Sequence, residues 1–248
     1  ALLLIWKVPY TIFPIIALIC NIFVVSGNCY NYVKAGNLNL KILYPFLIGS
    51  LPLAFIGGSL SISKELFEII LFFVLSIAGF LLLVNFNKAR YVEPPPKPTL
   101  EYSIAGFLLL VNFNKYDDSN RIYKKIPILI SILIGSVIGF ISGIVGIGGG
   151  IFLSPILLLL NIDKAKNIVT GASIFILLNS LSGIMGQITK NDIISELLNF
   201  WPLFVMVIIG GQLGNFLNLK ILSPKILTLI TSALVLFVSV RIGYRIFF

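Results

Sequence analysis

Gly139-Phe-Ile-Ser-Gly143-Ile-Val-Gly146-Ile-Gly148-Gly149-Gly150-Ile-Phe-Leu-Ser-Pro155 interrupts an apolar run that extends from Ile126 to Leu160. Glycine inside a helix costs about 1 kcal/mol relative to alanine, so three in succession favour a break between two helical pieces. Broken backbone inside a bilayer is tolerated only where protein buries it or where it lines a polar cavity. A half-helix restarting over Ile151–Leu160, with Pro155 near its first turn, would present unpaired N–H groups and the positive end of its dipole. That combination suits a small anion without any cationic side chain. Nucleotide readings fail here. No Gly-Lys-Ser/Thr follows, and Ile151 stands where GxGxxG needs its last glycine. Gly135, Gly139 and Gly143, spaced by four, form the small-residue stripe that lets membrane helices approach closely, so packing is the alternative reading of the glycines.

The rest of the 248 residues agrees with a membrane setting. They are 58% hydrophobic and 11% charged, against about 25% charged in soluble domains. Mean hydropathy is +1.06. This excludes an ordinary soluble enzyme and a disordered chain. The net charge of +9 does not signal nucleic acid, because most of the lysines and arginines lie between apolar runs, as in the cytoplasmic loops of membrane proteins. The fold class predicted is all-α: a polytopic helical bundle in the lipid bilayer. Ile12–Tyr32, Leu40–Leu60, Glu65–Phe86, Ile126–Val145, Ile168–Ile188, Phe200–Leu219 and Lys225–Tyr244 are the helical segments, with Ile151–Leu160 as the half-helix. Ala1–Val8 reads as the tail of an apolar element, without the basic region or cleavage site of a signal peptide.

An internal similarity organises these segments. Ser26-Gly27 aligns with Ser182-Gly183, Lys34 with Lys190, Asn31 with Gln187, and further on Ile48-Gly49 with Ile209-Gly210 and Ser63 with Ser223. The chain therefore divides into a first transmembrane repeat, 1–87, a polar linker, 88–125, and a second repeat, 126–248. The first repeat is expected to lack a counterpart of the glycine-broken element. In secondary transporters, repeats of this kind hold the substrate between them near mid-membrane. Ser76–Lys88 (SIAGFLLLVNFNK) recurs letter for letter at Ser103–Lys115. Such identity marks a recent copy, and the second copy, between a proline run and Asp117-Asp118, is too short to span.

Gly139–Pro155, followed by Ala165 and then Thr170-Gly171-Ala172-Ser173, resembles the sulfite exporter TauE/SafE family of membrane permeases. The resemblance covers Ile126–Phe248 and Ala1–Val84, not Ala89–Lys115. It implies about eight helices in two repeated halves, and transport of small anions such as sulfite, thiosulfate, sulfoacetate or other sulfonates. The substrate-binding candidates are Gly146, Gly148, Gly149, Gly150, Thr170, Gly171, Ser173, Asn179, Asn21 and Asn28. Ser182, Gln187, Ser26 and Asn31 are further polar positions on the same two helices. Interhelical hydrogen bonding is the alternative role for all the polar ones. Lys34 and Lys190 end equivalent helices and are vestibule candidates, unless they only snorkel to the headgroups.

The chain contains no histidine, and no acidic residue falls deep within a predicted span, so a proton pump built on an intramembrane carboxylate is not expected. No cofactor, metal site or catalytic residue is implied. Cys20 and Cys29, nine positions apart on one helix, rise about 13.5 Å and cannot bridge. A membrane scaffold and, more remotely, a membrane-embedded lipid enzyme are the competing functions; the enzyme would need an interfacial cluster of carboxylate, histidine or cysteine. A homo-oligomer is compatible with the sequence. The central connection carries seven Lys and Arg against four acids, which predicts a cytoplasmic location in the cell membrane. Parallel halves, the arrangement favoured, would then set Lys34, Lys190 and Arg245 on that same side, whereas a hairpin at the glycine element would invert the second half.

Overall fold

The computed structural model describes residues 9–34, 39–88, 126–160, 162–163, 165–190, 197, 200–220 and 224–247. Among them are eight α-helices and no strand: α1 (Phe13–Lys34), α2 (Leu40–Ser59), α3 (Lys64–Lys88), α4 (Ile128–Val145), α5 (Gly150–Leu159), α6 (Ala165–Ile188), α7 (Trp201–Lys220) and α8 (Pro224–Phe247). The expected spans fall on these helices to within a few residues. Five helices are long and apolar enough to cross a membrane, those of α2, α3, α4, α6 and α8. The N-terminal remnant, the second copy of SIAGFLLLVNFNK and nearly all of the polar linker lie outside the described residues. The first copy forms the second half of α3.

The tightest seam joins α2 to α4. Gly135, Gly139 and Gly143 lie against the backbone of Phe46, Ser50 and Ala54, while Gly49 and Gly57 receive the carbonyls of Ile132 and Phe140. A methyl group at any of these positions would overlap a backbone carbonyl oxygen. Lipid tails are as apolar as leucine, so membrane helices associate through such close backbone packing rather than through exclusion of water. The steps of four on both partners make α2 and α4 parallel. α6 joins the same seam in the same direction. Gly186 meets the backbone of Phe55 and Ser59, Gly58 meets Gly183, and the Ser182 hydroxyl donates to the Leu51 carbonyl at 2.6 Å.

Helix direction corrects one expectation. Leu18 packs at Gly183, and Asn21 lies opposite Ser180 across Gly148, so α1 and α6 run antiparallel. Ser76 and Ser239 share a hydrogen bond of 2.7 Å, and Glu68 pairs with Arg245, so α3 and α8 are antiparallel as well. α7 runs alongside α1, with Phe200, Leu203 and Phe204 beside Ile12, Ile15 and Ile16, and Gly211 near Val24. The elements aligned in sequence thus point in opposite directions instead of in parallel. The physical reason is that α4 and α5 reverse the chain in place of a single crossing. Lys34 therefore ends its helix at the end of the bundle that carries the central connection, here the linker end. Lys190 and Arg245 lie at the far end.

Apolar clusters hold the two ends. Toward the far end, Phe13, Phe67, Leu71, Val145, Val238 and Ile242 draw together α1, α3, α4 and α8. Toward the linker end, Leu43, Phe46, Leu153, Leu157, Ile168 and Phe175 join α2, α5 and α6. Exposed Phe73, Leu133, Val137, Met206, Phe237 and Val240 form an apolar exterior suited to lipid. Cys20 and Cys29 are free thiols on α1. With Cys20 and Cys29 replaced by serine, a Ser76→Cys/Ser239→Cys double variant should cross-link under mild oxidation in membranes, read as an altered gel mobility reversed by thiol. Failure to cross-link would count against the antiparallel pairing of α3 and α8.

Candidate functional site

α4 ends in a left-handed residue. Gly146 takes φ +81° and donates its N–H to the Ser142 carbonyl at 2.8 Å. Gly148 and Gly149 follow at φ +75° and +76°, a region that costs an L-residue about 1–2 kcal/mol. Gly149 caps α5 with no side-chain hydrogen bond. The N-terminal turn of α5 is thus left to whatever else lies at the break. α5 starts at Gly150, so Pro155 falls in its second turn rather than its first, which deprives the Ile151 carbonyl of its intrahelical donor.

Close contacts set the depth of this turn. Gly146 lies against Pro14 at the start of α1, near the far end. Gly150 then packs on Ala172 and Ile176, and Ile176 is at the midpoint of α6. The chain has descended from the far end to the middle of the bundle before the new helix begins. At Gly148, a Cβ would stand 2.9 Å from Ile176 Cγ2, 3.0 Å from Asn21 Nδ2 and 3.1 Å from Ser180 Oγ. A side-chain amide and a hydroxyl, from antiparallel α1 and α6, thus close on Gly148 together with Ile176 so tightly that a Cβ would not fit without a shift. Asn21 Nδ2 reaches the Gly146 carbonyl only at 3.5 Å, a weak bond that leaves most of its donor capacity unused.

The sequence-predicted residues divide into groups. Gly146, Gly148, Gly149, Gly150 and Asn21 are brought together. Asn179 is fully buried on α6, with Nδ2 donating to the Phe175 carbonyl at 3.0 Å and Oδ1 unpartnered. Thr170, Gly171 and Ser173 lie about one to two turns of α6 from Ile176 toward the linker end, around Ala172, which packs on Gly150. Thr170 is fully buried, Gly171 lies near Leu43, and Ser173 donates to the Val169 carbonyl of its own helix at 3.0 Å. Asn28 and Lys34 belong to α1, but their side chains lie outside the described residues. Ser142 and Ser180 were not singled out from sequence. Both are buried with hydroxyls lacking a partner, beside Gly149 and Gly148. The signal was available, since Ser142 lies inside the glycine stretch and Ser180 follows Asn179.

At the far end, Gln187 is fully buried and bridges two groups. Its Nε2 donates to the Gly143 carbonyl at 3.1 Å, and its Oε1 accepts from Lys190 Nζ at 3.0 Å. Half-burial pushes the Lys190 amine below the ordinary lysine value by desolvation. One cationic side chain is thereby tied, through one amide, to the turn of α4 that precedes the break. At the linker end, Asp163 accepts from Asn39 at 2.9 Å and from Asn167, joining the start of α2 to the start of α6. Among the described residues no group of three His, Cys, Asp or Glu side chains could hold a metal.

A helical bundle with an apolar exterior and five helices long and apolar enough to cross a bilayer is a polytopic membrane protein. The chain belongs to the sulfite exporter TauE/SafE family, whose description it matches over residues 1–242. It is 24% identical over 221 residues to "Probable membrane transporter protein y4hK" of Sinorhizobium fredii, covering 89% of this chain and 78% of that protein. It is 30% identical over 112 residues to "Probable membrane transporter protein YunE" of Bacillus subtilis, covering 43% of this chain and 38% of that protein. No solved structure matches significantly.

Replacing Gln187 by leucine should strand the Gly143 carbonyl and the Lys190 amine together. The expected cost is about 1–3 kcal/mol of stability, read as a lower melting temperature in detergent. Gln187→Glu, which can still accept from Lys190, should lose less. Equal melting temperatures for wild type and Gln187→Leu would show that the bridge contributes nothing.

Proposed function

We propose that this protein is a permease for small oxyanions of sulfur, such as sulfite, thiosulfate or a sulfonate, and that the anion binds at the glycine break between the two repeats. The observation that carries this reading is the convergence at Gly148. Asn21 Nδ2 and Ser180 Oγ flank it, and the uncapped N-terminus of α5 follows two residues later. These are hydrogen-bond donors and a positive dipole end in a low-dielectric layer, where they are worth more than in water. The family supplies the substrate class; Thr170, Gly171 and Ser173 would serve a second stage of the path toward the linker end.

The linker end would face the cytoplasm of the cell membrane. The central connection with its excess of Lys and Arg lies there, with the helix ends bearing Lys34, Lys41, Lys220 and Lys225, whereas Lys64, Lys190, Arg241 and Arg245 lie at the far end. Lys190 then stands in the external vestibule. Its charge draws anions to the break, and Gln187 holds it in place. The two repeats act as transport halves without chemistry on the substrate.

Sulfite or sulfonate flux in proteoliposomes tests the proposal. Gly148→Leu should abolish flux, while the purified variant remains monodisperse. Unchanged flux would favour the scaffold reading, in which the glycines only pack helices. Strict dependence on an imposed proton gradient would count against movement down the anion's own gradient.

A pH dependence follows from Lys190. Desolvation lowers its proton affinity, so the amine loses its charge at a lower pH than an exposed lysine does. External anion capture should therefore weaken at a lower alkaline pH than an exposed lysine would dictate, and Lys190→Met should transport several-fold more slowly where wild-type Lys190 is charged, with that alkaline decline removed. A variant retaining the decline would relieve Lys190 of the role.

A further inference from the structure

Ser142 Oγ, Asn179 Oδ1 and Ser180 Oγ are the buried side-chain atoms without a hydrogen-bond partner among the described residues, and all three border the same layer. Their residues are 2%, 0% and 0% exposed. Natural proteins rarely leave such atoms unpaired, and an ion or water is the usual explanation where they do. Their placement is mutual. On α6, Phe175 reaches Gly149 and Gly183 lies near Gly143 of α4; Asn179, one turn from each, occupies the level between them. On α4, Ser142 adjoins both Gly143 and Gly149. Ser142 and Asn179 therefore both lie along the α4–α6 interface between Gly149 and the Gly143–Gly183 contact, with Ser180 beside Gly148 at its edge.

The sense of these atoms distinguishes the ligand. The Asn179 amide nitrogen is committed to the Phe175 carbonyl, so the group it offers is a lone-pair oxygen that repels an anion. The two hydroxyl oxygens can accept equally well. Ser142 lies in the last turn of α4, and the C-terminal end of a helix carries partial negative charge. In transporters with interrupted helices, unwound carbonyls and half-helix C-termini hold a coupling cation. The same turn thus has two faces, an anion face at the start of α5 and an acceptor face at the end of α4.

We infer that Ser142, Asn179 and Ser180 form a site for a small monovalent cation, with sodium as the ion to be probed, beside the anion. Sodium there satisfies three stranded oxygens at once and offsets the anion's charge. It also gives a chain without intramembrane carboxylates a means of coupling that uses no proton. Only the flux arm of the test rests on the anion-permease reading.

The first measurement is the melting temperature of the purified full chain in detergent, without any anion substrate, in sodium, potassium and N-methylglucamine chloride. A rise specific to sodium is expected, saturating with concentration. Ser142→Ala and Asn179→Ala should each raise the half-saturating sodium about tenfold, as expected for one lost ligand. Asn179→Asp should lower it, and serves if an alanine variant fails to fold. The second measurement is sulfite uptake into proteoliposomes in the same three salts, expected to be fastest in sodium. No sodium-specific shift in melting, or a shift that Ser142→Ala and Asn179→Ala leave unchanged, overturns the cation site and assigns the stranded oxygens to buried water. Sulfite uptake at equal rates in all three salts also overturns it while leaving the permease intact. No uptake in any salt overturns the permease reading, and the melting series then still decides the cation site.

Discussion

Backbone released from a helix inside an apolar bundle must find partners within the protein, and the rest of this structure is arranged around that requirement. Four residues, Gly146–Gly149, leave the helical path between α4 and α5. Three adopt left-handed backbone, which lets the chain turn back while adding no side chain to the crowded interior. The groups set free are met from different directions: Gly146 N–H by Ser142, the Gly143 carbonyl by Gln187, the Gly146 carbonyl weakly by Asn21. The close seam of α4 with α2, and of α2 with α6, supplies the rigid frame that makes so irregular a turn reproducible. Without that seam the turn would have no fixed depth.

Because α4 and α5 fold back, the chain enters α6 travelling opposite to its sequence counterpart α1. That reversal sets antiparallel pairs, α1 with α6 and α3 with α8, across the middle of the molecule. It also separates Lys34 from Lys190. Their similar positions in sequence become opposite positions in space.

Much of this was legible in the sequence. Spans from Leu40 to Tyr244 fall on helices because twenty apolar residues in a low-charge chain have few alternatives. The break at Gly146–Gly150 was legible because glycine's backbone cost is local. Helix direction was not, since a short half-helix and a full crossing differ only in how far ten apolar residues travel, and Ile151–Leu160 permits both. Ser142 and Ser180 were missed because a serine within an apolar helix usually bonds its own carbonyls, as Ser173 does. Their lack of partners is a property of packing, visible only once α4 and α6 are together. Gln187 was noticed as polar, yet its link to Gly143, 44 residues away, belongs to tertiary structure.

The neutrality of the layer around Gly148 has an electrical consequence. Asn21, Ser142, Asn179 and Ser180 carry no charge, so on the permease reading proposed above an anion crossing without a counter-ion would carry its entire charge through the transmembrane potential. Each elementary charge exchanges about 2.3 kcal/mol per 100 mV with that potential, enough for an inside-negative voltage to expel a monovalent anion against a more than tenfold concentration difference. A fixed lysine at the same depth would mute that response. In a lining built from amides and hydroxyls, the membrane voltage would itself act as a driving force on such an anion.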